Sequence, residues 1–146
     1  MRTHEDIEKE ARLFVERCIS RKARALIVTL SGELGAGKTA FVQAIAKVFG
    51  VLDTVTSPTF VVEKVYELPT DTARGFARLV HIDAYRLTGS KELEMLGWQE
   101  LIAESSNLIF LEWPERVLEL IPSDAIRTEL KHLENETHSL SYEFQG

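Results

Sequence analysis

The sequence predicts an α/β fold in which helices cover both faces of a mostly parallel β-sheet. Short, fully apolar runs typical of buried parallel strands alternate with segments of helical spacing, and a glycine-rich loop joins one such strand to one such helix. The chain has 146 residues, of which 45% are hydrophobic and 27% charged. This size and composition fit a single domain spanning residues 1–146.

The N-terminal part predicts a helix, a strand and a second helix. From Glu5 to about Ser20, apolar residues recur on one helical face. The run Ala25–Leu30 is apolar and rich in β-branched residues, which indicates a buried strand leading into the glycine-rich loop. Helical spacing resumes after Lys38, and Gly50 provides a stop signal for that helix.

Two further apolar runs each end in an acidic residue. Leu79–Ile82 precedes Asp83, and Leu108–Leu111 precedes Glu112. The segment Lys91–Ser105 between them has the composition of one or two short helices broken near Gly97. These runs therefore predict two more buried strands with a helical connection.

The remaining segments predict further strands and turns. The residues Val61–Tyr66 alternate in polarity, and Leu68–Arg74 has the composition of a turn between two strands. At the C-terminal end, Ile126–Leu133 and His138–Phe144 predict a hairpin that adds antiparallel strands at one edge of the sheet.

The glycine-rich loop matches the pattern G-x-x-x-x-G-K-[ST] between a strand and a helix. Its residues are Gly32, Glu33, Leu34, Gly35, Ala36, Gly37, Lys38 and Thr39. Glycines let backbone N–H groups turn towards phosphate oxygens, and the helix N-terminus adds a favourable dipole. The match favours a P-loop NTPase-like three-layer fold, with Lys38 on the β- and γ-phosphates and Thr39 on Mg²⁺. The alternative is a glycine turn that binds nothing.

Asp83 and Glu112 are candidates for the acidic residue that completes the magnesium site of a P-loop protein, since each follows an apolar strand. Both could instead be helix caps or solvated loop residues. Trp113 could stack on a base or a partner, or be a partly buried core aromatic residue. His81 lies within an apolar strand and fits a satisfied core histidine better than a ligand. No Asn/Thr-Lys-x-Asp run for reading guanine occurs, so adenine is the expected base.

Charge and terminal composition limit where the protein works and what it binds. The net charge is −6, so the chain is not expected to grip nucleic acid alone. The N-terminal residues are acidic where a signal peptide is basic, and no apolar run approaches the roughly 20 residues that span a bilayer. A single cysteine, Cys18, is compatible with a reducing compartment. The sequence therefore predicts a cytoplasmic protein.

Together, four motifs in this order resemble the TsaE family, the bacterial ATPases of tRNA threonylcarbamoyladenosine biosynthesis. They are Ser31-Gly-Glu-Leu-Gly-Ala-Gly-Lys-Thr39, Ser57-Pro-Thr-Phe60, His81-Ile-Asp-Ala-Tyr-Arg-Leu87 and Glu112-Trp-Pro-Glu115. The resemblance covers about residues 3–115 closely, and the C-terminal hairpin suits the family as well. Only the first motif would be generic on its own.

The resemblance implies that the protein binds ATP and Mg²⁺ and works with TsaB and TsaD, which transfer threonylcarbamoyl to adenosine in tRNA. It implies that Lys38 and Thr39 bind phosphate and Mg²⁺. Glu112 would be the metal-shell acid, Asp83 the catalytic or water-orienting acid, and Trp113 an aromatic residue near the nucleotide. TsaE would hydrolyse ATP in support of the transfer, contact tRNA only through the complex, and show weak activity alone.

The resemblance also assigns Ser57 and Thr59 to a switch-like loop over the γ-phosphate. The chain departs from the family pattern at Glu33, where Asp is usual, and at Ala40, where a second Thr is common. Ala40 is still counted among the predicted cofactor-binding residues. Neither change removes a charged or hydroxyl group assigned to the chemistry. The rival interpretations are a small-molecule or nucleoside kinase, for which the chain has little room for a lid domain, and a nucleotide-binding regulatory module without turnover.

Overall fold

A computed structural model describes residues 4–18, 23–32, 38–51, 63–69, 75–133 and 137–143. In chain order the elements are α1 (His4–Arg17), β1 (Leu26–Ser31), α2 (Lys38–Val48), β2 (Glu63–Glu67), β3 (Arg78–Asp83), α3 (Ser90–Met95), α4 (Trp98–Ala103), β4 (Asn107–Glu112), β5 (Ile126–Leu133) and β6 (Thr137–Glu143). Two single-turn 3₁₀ helices, Pro114–Arg116 and Leu118–Leu120, lie between β4 and β5.

The strands form one six-stranded sheet in the order β2-β3-β4-β1-β5-β6. The four central strands β3, β4, β1 and β5 run parallel to one another, and β2 and β6 are antiparallel to their neighbours. The predicted hairpin is confirmed, but the direction of its first strand differs from the prediction. Because β5 pairs in parallel with the central strand β1, only β6 is antiparallel at that edge.

The helices α1 and α2 cover the first face of the sheet. Their apolar side chains pack on the residues of β1, β3 and β4 that point to this face. This buried cluster includes Phe14, Phe41, Val28, Leu79 and Phe110. The predicted apolar face of the first helix is confirmed in its described part, and Cys18 lies in this core with no exposed surface.

The helices α3 and α4 cover the second face of the sheet. Gly97 breaks them apart at a φ of 89°, a left-handed conformation that glycine adopts without the steric cost of a Cβ atom. Trp98 begins α4, is fully buried, and donates an Nε1–H hydrogen bond to the Leu120 carbonyl at 3.1 Å. The predicted pair of short helices is therefore confirmed.

Helices on both faces of the sheet confirm the predicted three-layer α/β fold with a mostly parallel sheet and antiparallel edge strands. In such folds ligands bind beyond the carboxyl ends of the parallel strands, which here include the ends of β1, β3 and β4. No helix within the described ranges is both long and apolar enough to cross a membrane.

Candidate nucleotide-binding site

Lys38 opens helix α2 and occupies the centre of the candidate site. Its side chain is 5% exposed, and its Nζ donates a hydrogen bond to the Gly32 carbonyl at 2.6 Å. The same Nζ lies 3.9 Å from the ring centroid of Trp113, within cation–π distance. The amine therefore has contacts on two sides, directly beside the loop that the motif assigns to phosphate.

The electrostatics of Lys38 reflect burial opposed by neighbouring acids. Loss of solvent lowers the pKa of Lys38 below its usual range, because burial disfavours the charged amine. Glu112, Asp83 and Glu115 act in the opposite direction by attracting the positive charge. Three acids thus surround one cation at the N-terminus of α2, and a phosphate there would meet a positive charge already held in place.

Asp83 and Glu112 end the neighbouring parallel strands β3 and β4 and lie opposite each other in the register of the sheet. Glu112 is 3% exposed, while Asp83 is half-buried. Neighbouring register partners point to the same face, so both acids lie on the face that α2 covers. The structure thus brings the two predicted acids together with the predicted lysine.

Asp83 is held by the loop that follows it. The backbone N–H of Tyr85 donates to Asp83 Oδ1 at 3.0 Å, a local turn of the kind that aspartate often forms. Burial raises the pKa of Asp83, and the negative charge of Glu112 raises it further. The Tyr85 hydrogen bond and the positive charge of Lys38 lower it, but the upward effects dominate. A raised carboxyl pKa beside a cation is a common feature of functional sites.

His81 is completely buried on β3, two residues before Asp83, and contacts Glu112. Its Nε2 lies 2.5 Å from Glu112 Oε2, and the two side chains are 0% and 4% exposed. The prediction of a core histidine is right about burial, but the histidine is not fully satisfied. Its Nδ1 has no hydrogen-bond partner among the described residues. A period of two along the strand places residues 81 and 83 on one face, and this signal was present in the sequence.

Trp113 adopts a left-handed backbone conformation, with a φ of 59° and a ψ of 54°, which is uncommon for a bulky residue. Its ring centroid lies 5.0 Å from that of Tyr85, and the Arg116 guanidinium lies 5.6 Å from the Tyr85 ring centroid. Strained residues of this kind occur mainly where the surrounding structure fixes a side chain at a functional site. In this conformation the Trp113 ring lies against Lys38 and also packs on Tyr85 and on the second-face core.

A hydrogen bond that sequence reasoning missed joins the end of β1 to the turn after β4. Ser31 Oγ donates to Glu115 Oε1 at 2.9 Å, across 84 positions of the chain. The backbone N–H of Trp113 also donates to the Leu30 carbonyl at 3.3 Å. These bonds fix the Trp113 turn against the strand that leads into the glycine-rich loop.

The described part of the predicted cofactor-binding segment consists of Gly32 and residues 38–40. Gly32 has a φ of 147°, within the region that favours glycine, and Thr39 and Ala40 are half-buried in the first turn of α2. The predicted residues Glu33, Leu34, Gly35, Ala36 and Gly37, and the switch-like residues Ser57 and Thr59, lie outside the described residues. Within the described ranges, no group of three or more His, Cys, Asp or Glu side chains is arranged to hold a metal ion.

Comparisons with known proteins point to one family. A family model described as "Threonylcarbamoyl adenosine biosynthesis protein TsaE" matches residues 2–140. A TsaE protein of Rickettsia typhi is 35% identical over 129 residues, which cover 88% of this chain and 84% of the relative. A TsaE protein of Streptomyces coelicolor is 38% identical over 111 residues, which cover 76% of this chain and 72% of the relative.

A solved structure has the same fold. The crystal structure of Bacillus subtilus YdiB superposes with a TM-score of 0.76 at 22% identity, and the match covers 100% of this chain and 83% of that one. At this identity the likeness supports the fold. The family model and the related TsaE proteins support the assignment of the sequence to a family. The chain therefore belongs to the TsaE family of tRNA threonylcarbamoyladenosine biosynthesis proteins.

Proposed function

We propose that this TsaE protein is a magnesium-dependent ATPase that hydrolyses ATP in support of threonylcarbamoyl transfer to tRNA by TsaB and TsaD. The observation that carries the proposal is the buried Lys38 at the start of α2, which faces Asp83 and Glu112 at the ends of two parallel strands. This is the arrangement of one cation and strand-end acids that phosphoryl transfer on P-loop folds requires.

Lys38 would bind the β- and γ-phosphates. Its present contacts, the Gly32 carbonyl and the Trp113 ring, are ones that an ammonium group can exchange for phosphate oxygens. The first turn of α2 adds backbone N–H groups and the positive end of the helix dipole. A bound phosphate would also stabilise the protonated form of this amine, whose pKa is lowered by burial.

The donor set beside Lys38 fits magnesium. Thr39 offers a hydroxyl and Glu112 a carboxylate, and Mg²⁺ prefers oxygen ligands, with water and phosphate completing its octahedron. When bound, the ion would neutralise charge on the phosphate oxygens. Glu112 is thus proposed as the acid of the metal shell, either directly or through a water molecule.

Asp83 would orient the attacking water or accept its proton. The Tyr85 N–H holds one carboxylate oxygen, Oδ1, and the other, Oδ2, is proposed to bind the water molecule. The raised pKa of Asp83 brings the carboxyl closer to the operating pH, which favours proton transfer. Trp113 is proposed to lie against the bound nucleotide while Lys38 moves from its ring to the phosphates.

The partners are proposed from the family and from the charge of the chain. A net charge of −6 argues against tight binding of tRNA by the chain alone, so tRNA contact is proposed to occur only within the TsaB–TsaD complex in the cytoplasm. The loop with Ser57 and Thr59 is proposed to sense the γ-phosphate and to link ATP hydrolysis to that complex.

Phosphate release measured with and without the TsaB–TsaD pair tests the proposal. We expect slow release by the chain with Mg²⁺ and ATP, faster release with the pair, and stronger association with the pair in ATP than without nucleotide. A filter-binding assay at physiological salt should find only weak tRNA binding by the chain. No release under any of these conditions, or tight tRNA binding with no affinity for the pair, would overturn the proposal.

A further inference from the structure

The buried contact between His81 and Glu112 has a feature that core packing alone does not explain. His81 occupies an interior position of β3, and Glu112 ends the adjacent strand β4. Their side chains meet at 2.5 Å between Nε2 and Oε2 in a region with almost no solvent exposure. A buried carboxylate is costly unless it accepts hydrogen bonds, so the histidine supplies what solvent cannot.

The unpaired Nδ1 identifies the ring nitrogen that carries the hydrogen. Among the described residues, Nδ1 of His81 has no partner. An N–H group buried without an acceptor is rarer and costlier than an acceptor lone pair left bare. The hydrogen is therefore assigned to Nε2, where it donates to the Glu112 carboxylate.

We propose that His81 is a positioning residue that donates through Nε2–H to Glu112 and fixes the orientation of this acid in the nucleotide site. The inference rests on the function proposed above. His81 itself is two residues from the strand end, fully enclosed, and acts only through Glu112. With Oε2 held by the histidine, the remaining oxygen of Glu112 is left for magnesium or a metal-bound water.

Fixing Glu112 is useful because the acid shares its surroundings with Lys38. The two groups are close enough for Glu112 to be the strongest acidic influence on the lysine. An unrestrained carboxylate would be drawn to the amine, which must be available to phosphate for the proposed function. A hydrogen bond from a rigid strand residue keeps the acid in one place while Lys38 changes partner.

Three substitutions separate positioning from packing. His81→Gln places an amide N–H about where the histidine Nε2–H is, His81→Asn is one methylene shorter and cannot reach Glu112, and His81→Leu fills the space without a donor. Each variant would be measured for thermal unfolding, kcat and KM for ATP. Isothermal titration with Mg²⁺ in the presence of a non-hydrolysable ATP analogue gives a readout that does not depend on turnover.

We expect His81→Asn and His81→Leu to lower kcat and magnesium affinity about 10- to 100-fold, the range seen when a partner of a metal-binding residue is removed. KM for ATP should change little. His81→Gln should restore most of both quantities. In a Glu112→Gln background, His81→Asn should cause no further loss of kcat, because the group that it positions has already been changed.

Two outcomes would overturn the positioning role while leaving the ATPase proposal intact. In the first, the parent protein hydrolyses ATP, and the His81→Asn variant folds and has the same kcat and magnesium affinity as the parent. The other is a loss that is equal in the Gln and Asn variants and follows their thermal stability. By contrast, absence of ATP hydrolysis by the parent protein, with and without TsaB–TsaD, would contradict the proposed function itself. If His81→Leu fails to fold, the Gln–Asn comparison still decides between positioning and packing.

Discussion

The two faces of the central sheet differ most where β3 and β4 end. On the second face, Ile82 and Leu111 are fully buried among the apolar residues under α3 and α4. On the first face, their immediate neighbours Asp83 and Glu112 point towards Lys38. One step along each strand thus separates a core residue from a candidate catalytic one, because successive side chains point to opposite faces.

The side chains on the first face also change from apolar to polar along β3 and β4. Leu79 and Phe110, deeper in β3 and β4, are fully buried beneath α1 and α2. On β3 and β4, the polar residues of this face begin at His81 and continue to the strand ends, next to the N-terminus of α2. The comparison teaches that the second face can serve stability alone, while the first combines a core with a site at one end. Substitutions on the two faces should therefore affect different properties.

The largest expected effect is the loss of turnover on neutralising the strand-end acids. Asp83→Asn should lower kcat by about 10²- to 10⁴-fold, the usual contribution of a general acid–base group, and Glu112→Gln should also lower turnover strongly. ATP affinity should stay within a few-fold of the parent value, because these acids are proposed to act mainly in the transition state. Phosphate release and equilibrium ATP binding measure the two quantities separately.

The matched control for Asp83→Asn is Ile82→Val on the opposite face of the same strand. It should lower the free energy of unfolding by about 0.5–1.5 kcal/mol and leave kcat per folded molecule unchanged. The two acid variants could instead lose ATP binding and stability in equal measure. Asp83 and Glu112 would then be structural residues, in line with the alternative that they are helix caps.

A smaller effect is expected for Leu111→Ala, which should lower stability and leave turnover unchanged. Leu111 is fully buried in the second-face core, so truncation leaves a cavity and should cost about 2–5 kcal/mol of unfolding free energy. Turnover per folded molecule should be unchanged below the melting temperature. Chemical denaturation and phosphate release test this pair of expectations. A folded Leu111→Ala protein with the same stability but strongly reduced kcat would break the separation between the faces.

The smallest effect concerns Glu63 on the edge strand β2. Burial raises its pKa, so the folded protein holds this proton more tightly than the unfolded chain does. Stability is therefore lost as the pH rises from the ordinary carboxyl value of 4.5 through the higher pKa of the folded state. Glu63→Gln should raise the unfolding free energy slightly, by less than about 0.5 kcal/mol, near neutral pH.

Melting curves at two pH values test the Glu63 prediction. The gain from Glu63→Gln should be present near neutral pH and shrink towards zero at about pH 4, where the carboxyl is largely protonated in both states. A gain that is equal at both pH values would show that the effect comes from β-strand packing instead of charge burial.

Much of the fold was predictable because local pattern and tertiary structure agree. The buried runs ending at Ile82 and Leu111 became neighbouring parallel strands, and Gly97 broke the connecting helices as expected. The direction of β5 was not predictable from its alternation, which is the same for parallel and antiparallel edges. Its pairing with β1 depends on the route of the chain between β4 and β5, through the two 3₁₀ helices.

The position of a candidate residue was predictable where its type coincides with the end of an element, as for Lys38 at the start of α2 and for Asp83 and Glu112 at the ends of β3 and β4. Contacts between distant residues were not. The bond from Ser31 to Glu115 depends on two loops meeting, which spacing in the sequence does not encode. The left-handed backbone of Trp113 was likewise not expected, because nothing in the local sequence demands it. The His81 contact could have been inferred from strand alternation, once β3 and β4 were known to be neighbours.

The measurement that most directly tests the central claim is isothermal titration of ATP with Mg²⁺ into the parent protein and into Lys38→Ala. Lys38 is the cation proposed to bind the phosphates, so its loss should weaken ATP binding at least about tenfold, or more than about 1.4 kcal/mol. The control Lys47→Ala removes an exposed lysine at the other end of α2 and should leave the affinity unchanged. A folded Lys38→Ala protein that binds ATP as tightly as the parent would contradict the assignment of this site.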